Sequence, residues 1–168
     1  MSSDTAYDRF AAAIDPTVAI ITVTDGTDHA GCLVGFHGQV SIDPRRHGVW
    51  ISRENHTFEL AQRAVAVAVH LLGPADHDLA EHFGHLSGDD TDKFAAVEHH
   101  DGPLGVRLLD RLPRRIAGPC TQPVEMGGDH VLVVVDPTHV AEDPSPGAPD
   151  ALRLHDVTDI EPGHPDPA

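Results

Sequence analysis

The sequence predicts a mainly β domain with helices (α+β), a barrel carrying helical decorations, on three observations. Runs of β-branched and apolar residues recur at short intervals: TVAIITVT at 17–24, VAVAVHLL at 65–72 and HVLVVV at 130–135. Turn signals bound them, notably Asp25-Gly26 and Gly127-Gly128-Asp129. The helical stretches do not alternate strictly with the strands, as a doubly wound sheet would require.

Residues 4–14 read as a short helix capped by Ser3 or Asp4, with Tyr7, Phe10, Ala11 and Ile14 on one face. Asp15-Pro16 ends it. The run at 17–24 is a buried strand. Residues 30–42 continue as strand, kinked at Gly35 and Gly38, where a bulge or a close ligand is the usual cause. Residues 48–52 form a further short strand, and Asn55 opens a helix reaching Arg63. The stretch 65–72 is apolar enough that both its faces need cover. Asp76 caps a helix with Leu79, Phe83 and Leu86 in one stripe. Residues 87–94 make a turn and one or two helical turns, and His99-His100 falls in a polar loop. Strands at 116–120 and 130–135 complete the domain. Residues 1–142 form that domain, and 143–168 are an acidic, proline-rich tail, partly disordered apart from a short strand near 151–154.

With 168 residues the chain is long enough for one domain with a real core. Its net charge of −16 argues against nucleic acid and anionic membranes as partners. No apolar run is long enough to cross a bilayer and the N-terminus lacks the features of a secretion signal, so a cytoplasmic protein is expected. Cys32 and Cys120 fit a reducing compartment. The chain has 14 histidines, among them His77, His82 and His85 on one helix, but none makes a zinc-type pair with a glutamate between, so no metal is expected. Nucleophile elbow, P-loop and Rossmann fingerprints are absent.

The chemistry concentrates in two stretches. The first is Gly31-Cys32-Leu33-Val34-Gly35-Phe36-His37-Gly38-Gln39-Val40-Ser41-Ile42-Asp43-Pro44, and the second is Ser52-Arg53-Glu54-Asn55-His56-Thr57. Glycine lets backbone amides approach a ligand, and a cation beside neutral donors suits a phosphate. Four further stretches follow in order: Asp15-Pro16-Thr17-Val18-Ala19-Ile20, Leu79-Ala80-Glu81-His82-Phe83-Gly84, Asp92-Lys93-Phe94, and Gly128-Asp129-His130-Val131. Together these resemble the flavin reductase-like family of FMN-binding split barrels, from about residue 10 to about residue 140.

That resemblance implies a split β-barrel of the FMN-binding type and an NAD(P)H-dependent oxidoreductase acting on FMN or FAD, with NADH or NADPH as co-substrate. It implies a homodimer with the flavin at the interface, and reduced flavin used in place or passed to a partner monooxygenase. Carried over residue by residue, Leu33, Val34, Gly35, Phe36 and His37 face the ring. Gln39, Val40 and Ser41 face the ribityl chain or phosphate, and Arg53, Asn55, His56 and Thr57 cage the phosphate. Phe83 joins the cofactor set. His130 lies on the nicotinamide side as the catalytic candidate, orienting rather than transferring a proton. The chain departs from the family pattern at Gly35-Phe36-His37, where polar side chains are usual, and at Pro44-Arg45. Two alternatives stay open: a cofactor-binding module without turnover, holding a flavin, deazaflavin or haem, and a deazaflavin-dependent reductase of a small organic substrate.

Overall fold

In a computed structural model that describes residues 3–86, 91–141 and 150–163, the β-branched runs assemble into two main antiparallel sheets. Helix α1 (Ser3–Ile14) precedes strands β1 (Ala19–Thr24), β2 (His29–Val34), β3 (His37–Ile42) and β4 (Arg45–Ser52). Helix α2 (His56–Ala61), strand β5 (Ala66–Leu71) and helix α3 (His77–His85) follow, the last entered through a 3-10 turn at Pro74–Asp76. The remaining strands are β6 (His99–Asp101), β7 (Arg107–Leu109), β8 (Arg115–Pro119), β9 (Val124–Glu125), β10 (His130–Val135) and β11 (His139–Ala141). The larger sheet has the order β11-β8-β5-β1-β2, the second β3-β4-β10-β9, and β6 pairs with β7 alone. The architecture is mixed α+β, mainly strands.

Two corners join the sheets. At one, the chain leaves β2 and enters β3 across Gly35 and Phe36, and the Trp50 amide of β4 donates to the Phe36 carbonyl at 3.0 Å. At the other, Cys120 bridges to Val135 and the Thr121 amide donates to the Val134 carbonyl at 2.9 Å. The strand expected over 30–42 is therefore two strands in different sheets. The break expected at Gly35 is the corner itself, whereas Gly38 pairs regularly with Gly48, and a register shift not expected lies between Gln39 and Ser41.

Between the sheets, Ile21, Val23, Val67 and Val69 pack against Val49, Ile51, Val131, Val133 and Val135. On the other side of the larger sheet, Ile20 and Leu72 pack with Leu79, Phe83, Phe94, Leu109 and Leu152. With a core on each face, β1 and β5 show no alternation of polarity in sequence. Strand β10 does alternate: Val131, Val133 and Val135 point inward, while His130, Leu132 and Val134 are half-buried on the outer face.

The polar groups buried deepest at the larger sheet, those of His70 and Lys93, have main-chain partners, whereas His29 Nδ1, Arg115 Nε and His139 Nε2 are buried without one among the described residues. His70 has no exposed surface; its Nδ1–H donates to the Ile20 carbonyl at 3.1 Å, and its Nε2 accepts from the Leu109 amide at 3.1 Å. That pairing fixes one neutral tautomer, and burial pushes the imidazole down to about 3. The buried Lys93 ammonium donates to the carbonyls of Gly31 at 3.1 Å and Phe83 at 2.9 Å, clamping α3 to β2.

Other expectations need correction. Residues 91–97 form turns rather than helix, and the part of that expectation at 87–90 lies outside the described residues. His99 and His100 lie on β6, not in a loop. Near 151–154 there is a single bridge, Thr17 to Arg153, followed by a 3-10 turn at Leu154–Val157. Much of the expected tail, 143–149 and 164–168, also lies outside the described residues. The apolar stripe of α1 is not a core face: Tyr7, Phe10 and Ile14 are exposed.

Candidate functional site

The end of the second sheet gathers most of the residues singled out by sequence. Strand β4 finishes at Ser52, which lies opposite His130, the first residue of β10. The chain then turns: the Asn55 amide donates to the Ser52 carbonyl at 3.1 Å, and Asn55 Oδ1 accepts from the Thr57 amide at 3.0 Å. That is an N-cap on α2, a helix of six residues, so its macrodipole is slight and the cap already uses one of its free amides.

Arg53 ties this turn to the β9–β10 connection. Its amide donates to the Asp129 carbonyl at 2.9 Å, its Nε donates to the Gly128 carbonyl at 3.2 Å, and its guanidinium pairs with Glu125 and lies over the Phe58 ring. His130 Nδ1–H donates to Asp129 Oδ1 at 2.8 Å, and that bond holds the Asp129 carboxyl below its usual range. In the neutral ring Nε2 is left as an acceptor. The Phe36 ring stands edge-on to His130 with centroids 5.4 Å apart, and Phe36 keeps 49% of its surface exposed. Beside them on the outer face lie Trp50, Leu132 and Val40; an added Cβ on Gly48 would meet Val40 at 2.7 Å and Leu132 at 2.9 Å. Opposite Gly48, the Cβ position of Gly38 opens on empty space.

Some residues expected at the site lie elsewhere. Phe83, 0% exposed, is a core ring packed edge-on to Phe94 and His82. The Val34 side chain points into the core between the sheets, and that of Leu33 packs against Gly84 of α3, leaving only main-chain groups of those two residues for a ligand. Gly35 is closed off by Leu154, 3.1 Å from where a Cβ would stand. His37 is committed inward: its Nε2–H donates to the Thr17 carbonyl at 2.9 Å, and its Nδ1 accepts from His47 Nε2–H at 3.1 Å. Burial lowers both imidazoles, that of His47 to about 4. Gln39 donates to the Ser41 carbonyl at 3.0 Å, and Val40 is exposed. His56 and Thr57 open α2; Thr57 is buried, and burial raises the Cys32 thiol above its ordinary value.

Phe36, Arg53, Asn55, His56, Thr57 and His130 thus come together around one sheet end, drawn from three separate segments. A sequence-family model, described as the flavin reductase like domain, matches residues 12–156. The chain belongs to the flavin reductase-like domain family. Solved structures agree on the fold. The NADH:FAD oxidoreductase SgcE6 of Streptomyces globisporus C-1027 aligns with a TM-score of 0.79 at 19% identity, covering 98% of this chain and 95% of that one. An FMN-binding protein from Thermus thermophilus aligns at 0.75 with 25% identity, covering 84% and 82%. Nitrilotriacetate monooxygenase component B from Mycobacterium thermoresistibile aligns at 0.72 with 19% identity, covering 88% and 82%. The chain spans 49% of the length of another match, a Sinorhizobium meliloti protein described as an oxidoreductase. No protein with a curated description matches the sequence.

Sequence reasoning missed Trp50, Glu125 and Leu132. Trp50 is the single tryptophan of the chain, and its place in a run of strand residues was the available signal. Nothing local marks Glu125, whose role depends on Arg53, 72 residues away in sequence. Among the described residues no cluster of three or more His, Cys, Asp or Glu could hold a metal, and no helix is long and apolar enough to cross a membrane.

Proposed function

We propose that this protein is an NAD(P)H-dependent flavin oxidoreductase, a homodimeric split barrel that holds FMN or FAD at the outer end of the four-stranded sheet. The observation that carries the reading is the convergence of Phe36 and His130 with the Arg53–Thr57 turn. A flavin needs a flat apolar contact, main-chain donors and a cationic phosphate site, and this sheet end supplies candidates for each. The half-exposed Phe36 offers the flat face, and open space over Gly38 admits a planar group. Arg53, with Asn55 and His56 beside it, suits the phosphate.

When bound, a flavin supplies two-electron hydride chemistry that no side chain can perform. The protein's part is placement. Phe36 and the half-buried outer face exclude water from one side. Arg53 exchanges its exposed partner Glu125 for a phosphate, a charge-assisted contact. His130, aimed by Asp129, presents Nε2 as an acceptor to the amide group of a nicotinamide and so orients the second substrate without exchanging a proton. A second copy of the chain is the expected cover for the apolar outer face formed by Phe36, Val40, Trp50 and Leu132, larger than an isolated surface residue explains.

The visible spectrum of the purified protein mixed with FMN or FAD, before and after anaerobic NADH or NADPH, tests the reading. The expected result is a protein-bound flavin spectrum that bleaches with reduced nicotinamide much faster than free flavin does. Flavin that stays unbound, or bound flavin that does not bleach, removes the oxidoreductase assignment; the second result leaves a binding module.

A further inference from the structure

Helix α1 springs from beside the Phe36 corner, and its root is clamped. Asp15, the residue after the helix, has a positive φ of 42°, a conformation that a non-glycine residue keeps only when its surroundings impose it. Here Arg153 Nη1 donates to the Asp15 carbonyl at 2.9 Å. The Asp15 carboxylate accepts from the His155 amide at 3.1 Å and from His155 Nδ1–H at 2.6 Å. Between those two residues the Leu154 amide donates to the Pro16 carbonyl at 2.9 Å, and the Leu154 side chain stands against Gly35, next to Phe36. The helix thus leaves the body in a set direction from one corner of the candidate site.

Beyond that root α1 stays in solvent. Tyr7, Phe10 and Ile14, one stripe at helical spacing, are 69%, 66% and 60% exposed, and of residues 4–14 only Ala11 is half-buried. A helix of twelve residues is marginal in water on its own, so this one needs a surface to lie on. Its charges are Asp4, Asp8 and Arg9, which give it no basic face for an anionic membrane. The same chain carries a second apolar surface without cover, the outer face of the four-stranded sheet. Phe36, Val40, Trp50 and Leu132 lie there, joined by Val124 of β9, which pairs with Leu132 and is 47% exposed. The Asp15 clamp keeps these two surfaces apart within one chain. A two-fold exchange between two chains brings both together and leaves neither over.

On the homodimeric reading proposed above, we infer that α1 is an arm that lies on a second copy of this chain, its Tyr7–Phe10–Ile14 stripe seated on the outer face of that copy's four-stranded sheet. Each flavin pocket is then roofed by the partner's Tyr7 and the partner's Phe10. The dimensions agree. Twelve helical residues extend about 18 Å, and four strands side by side span about 14 Å. An aromatic side chain carries roughly 150–250 Å², so the two surfaces together offer several hundred Å² per chain, the scale of the roughly 800 Å² that each partner buries in a stable dimer.

Sedimentation velocity of the full-length protein without flavin, over a dilution series, reads the dimer, and emission of the single tryptophan reads the cover over Trp50. Tyr7→Ser/Phe10→Ser should raise the dimer dissociation constant at least about tenfold and move Trp50 emission to the red, with the circular dichroism of the sheets retained because both side chains are exposed in the single chain. In a Cys120→Ser background, Phe10→Cys protein mixed with Val40→Cys or with Val124→Cys protein and treated with a short bismaleimide should give a covalent dimer containing one chain of each. A wild-type monomer at every concentration removes the dimer and the arm with it. A wild-type dimer whose dissociation constant and Trp50 emission are unchanged in Tyr7→Ser/Phe10→Ser leaves the dimer standing and overturns the arm. So does a dimer in which Phe10→Cys cross-links to neither Val40→Cys nor Val124→Cys.

Discussion

The two main sheets share one core yet are built to different ends. The five-stranded sheet β11-β8-β5-β1-β2 is covered on both faces, and the fully buried His70 in it and the buried Lys93 packed on it are held by main-chain partners. The four-stranded sheet β3-β4-β10-β9 buries only one face; the other leaves Phe36 and Val40 exposed and Trp50 and Leu132 half-exposed. Its end carries a cation in an exposed, exchangeable ion pair with Glu125. A sheet closed on both sides can only contribute stability. One left open on an apolar face, with loosely held charges at its edge, has surface to give to a ligand or a second subunit.

The division predicts that damage to the first sheet shows in folding and damage to the second in binding. The largest effect is expected at His70. Replacing it by Leu strands the buried Ile20 carbonyl and Leu109 amide, each costing about 1–3 kcal/mol, so urea denaturation should show a loss of about 2–6 kcal/mol. FMN affinity of the molecules that remain folded should hardly change. A His70→Leu protein of full stability that has lost flavin would reverse the roles of the two sheets.

Next is Arg53→Ala, which should weaken FMN by about 1.5–3 kcal/mol, roughly ten- to a hundredfold, while riboflavin, without a phosphate, is little affected. Equal losses for both ligands would make Arg53 a brace between β4 and the β9–β10 connection and nothing more.

How far this partition could be read from sequence depends on the range of the interactions. The runs that became β1, β5 and β10 were legible because β-branched residues announce a buried strand locally. So was the Asn55 cap, a contact between neighbours in the chain. The corner at Gly35–Phe36 was not: two strands interrupted by a single dipeptide look continuous until the sheet to which each belongs is known. Phe83 and His37 drew attention through motif position, but their surroundings are set by Phe94 and His47, and only the fold brings these together. Conversely, Phe36 and His130, 94 positions apart, were each singled out, and their ring contact was beyond sequence reasoning.

A pH series sharpens the comparison at smaller amplitude. His70 and His47 are depressed from 6.5 to about 3 and about 4, so below pH 6.5 the unfolded chain binds protons that the folded chain refuses. Stability from these groups is therefore whole above about pH 7 and falls as pH drops toward 4, by at most about 1.4 kcal/mol per pH unit for each histidine. Urea midpoints between pH 7.5 and 4.5 should fall more steeply for the wild type than for His70→Leu. Parallel curves would mean that His70 does not stay neutral in the fold.

The smallest effect belongs to Glu125→Gln. Removing the exposed carboxylate that competes for Arg53 should tighten FMN by a few-fold, in keeping with the roughly 0–1 kcal/mol of a surface ion pair, and leave riboflavin unchanged. Weaker FMN binding in this variant would show that the Arg53–Glu125 pair positions the site rather than guarding it.

Trp50 gives the most direct access to the central claim, because it is the only tryptophan and lies on the outer face of β4, hydrogen-bonded through its amide to Phe36. Its emission, followed during titration with FMN and corrected for absorption by the flavin, should be quenched along a saturating curve that ends at one flavin per chain. The curve should shift to higher FMN concentration in Arg53→Ala. Emission that declines only in proportion to flavin absorbance, with no saturation, would contradict a flavin site on this sheet.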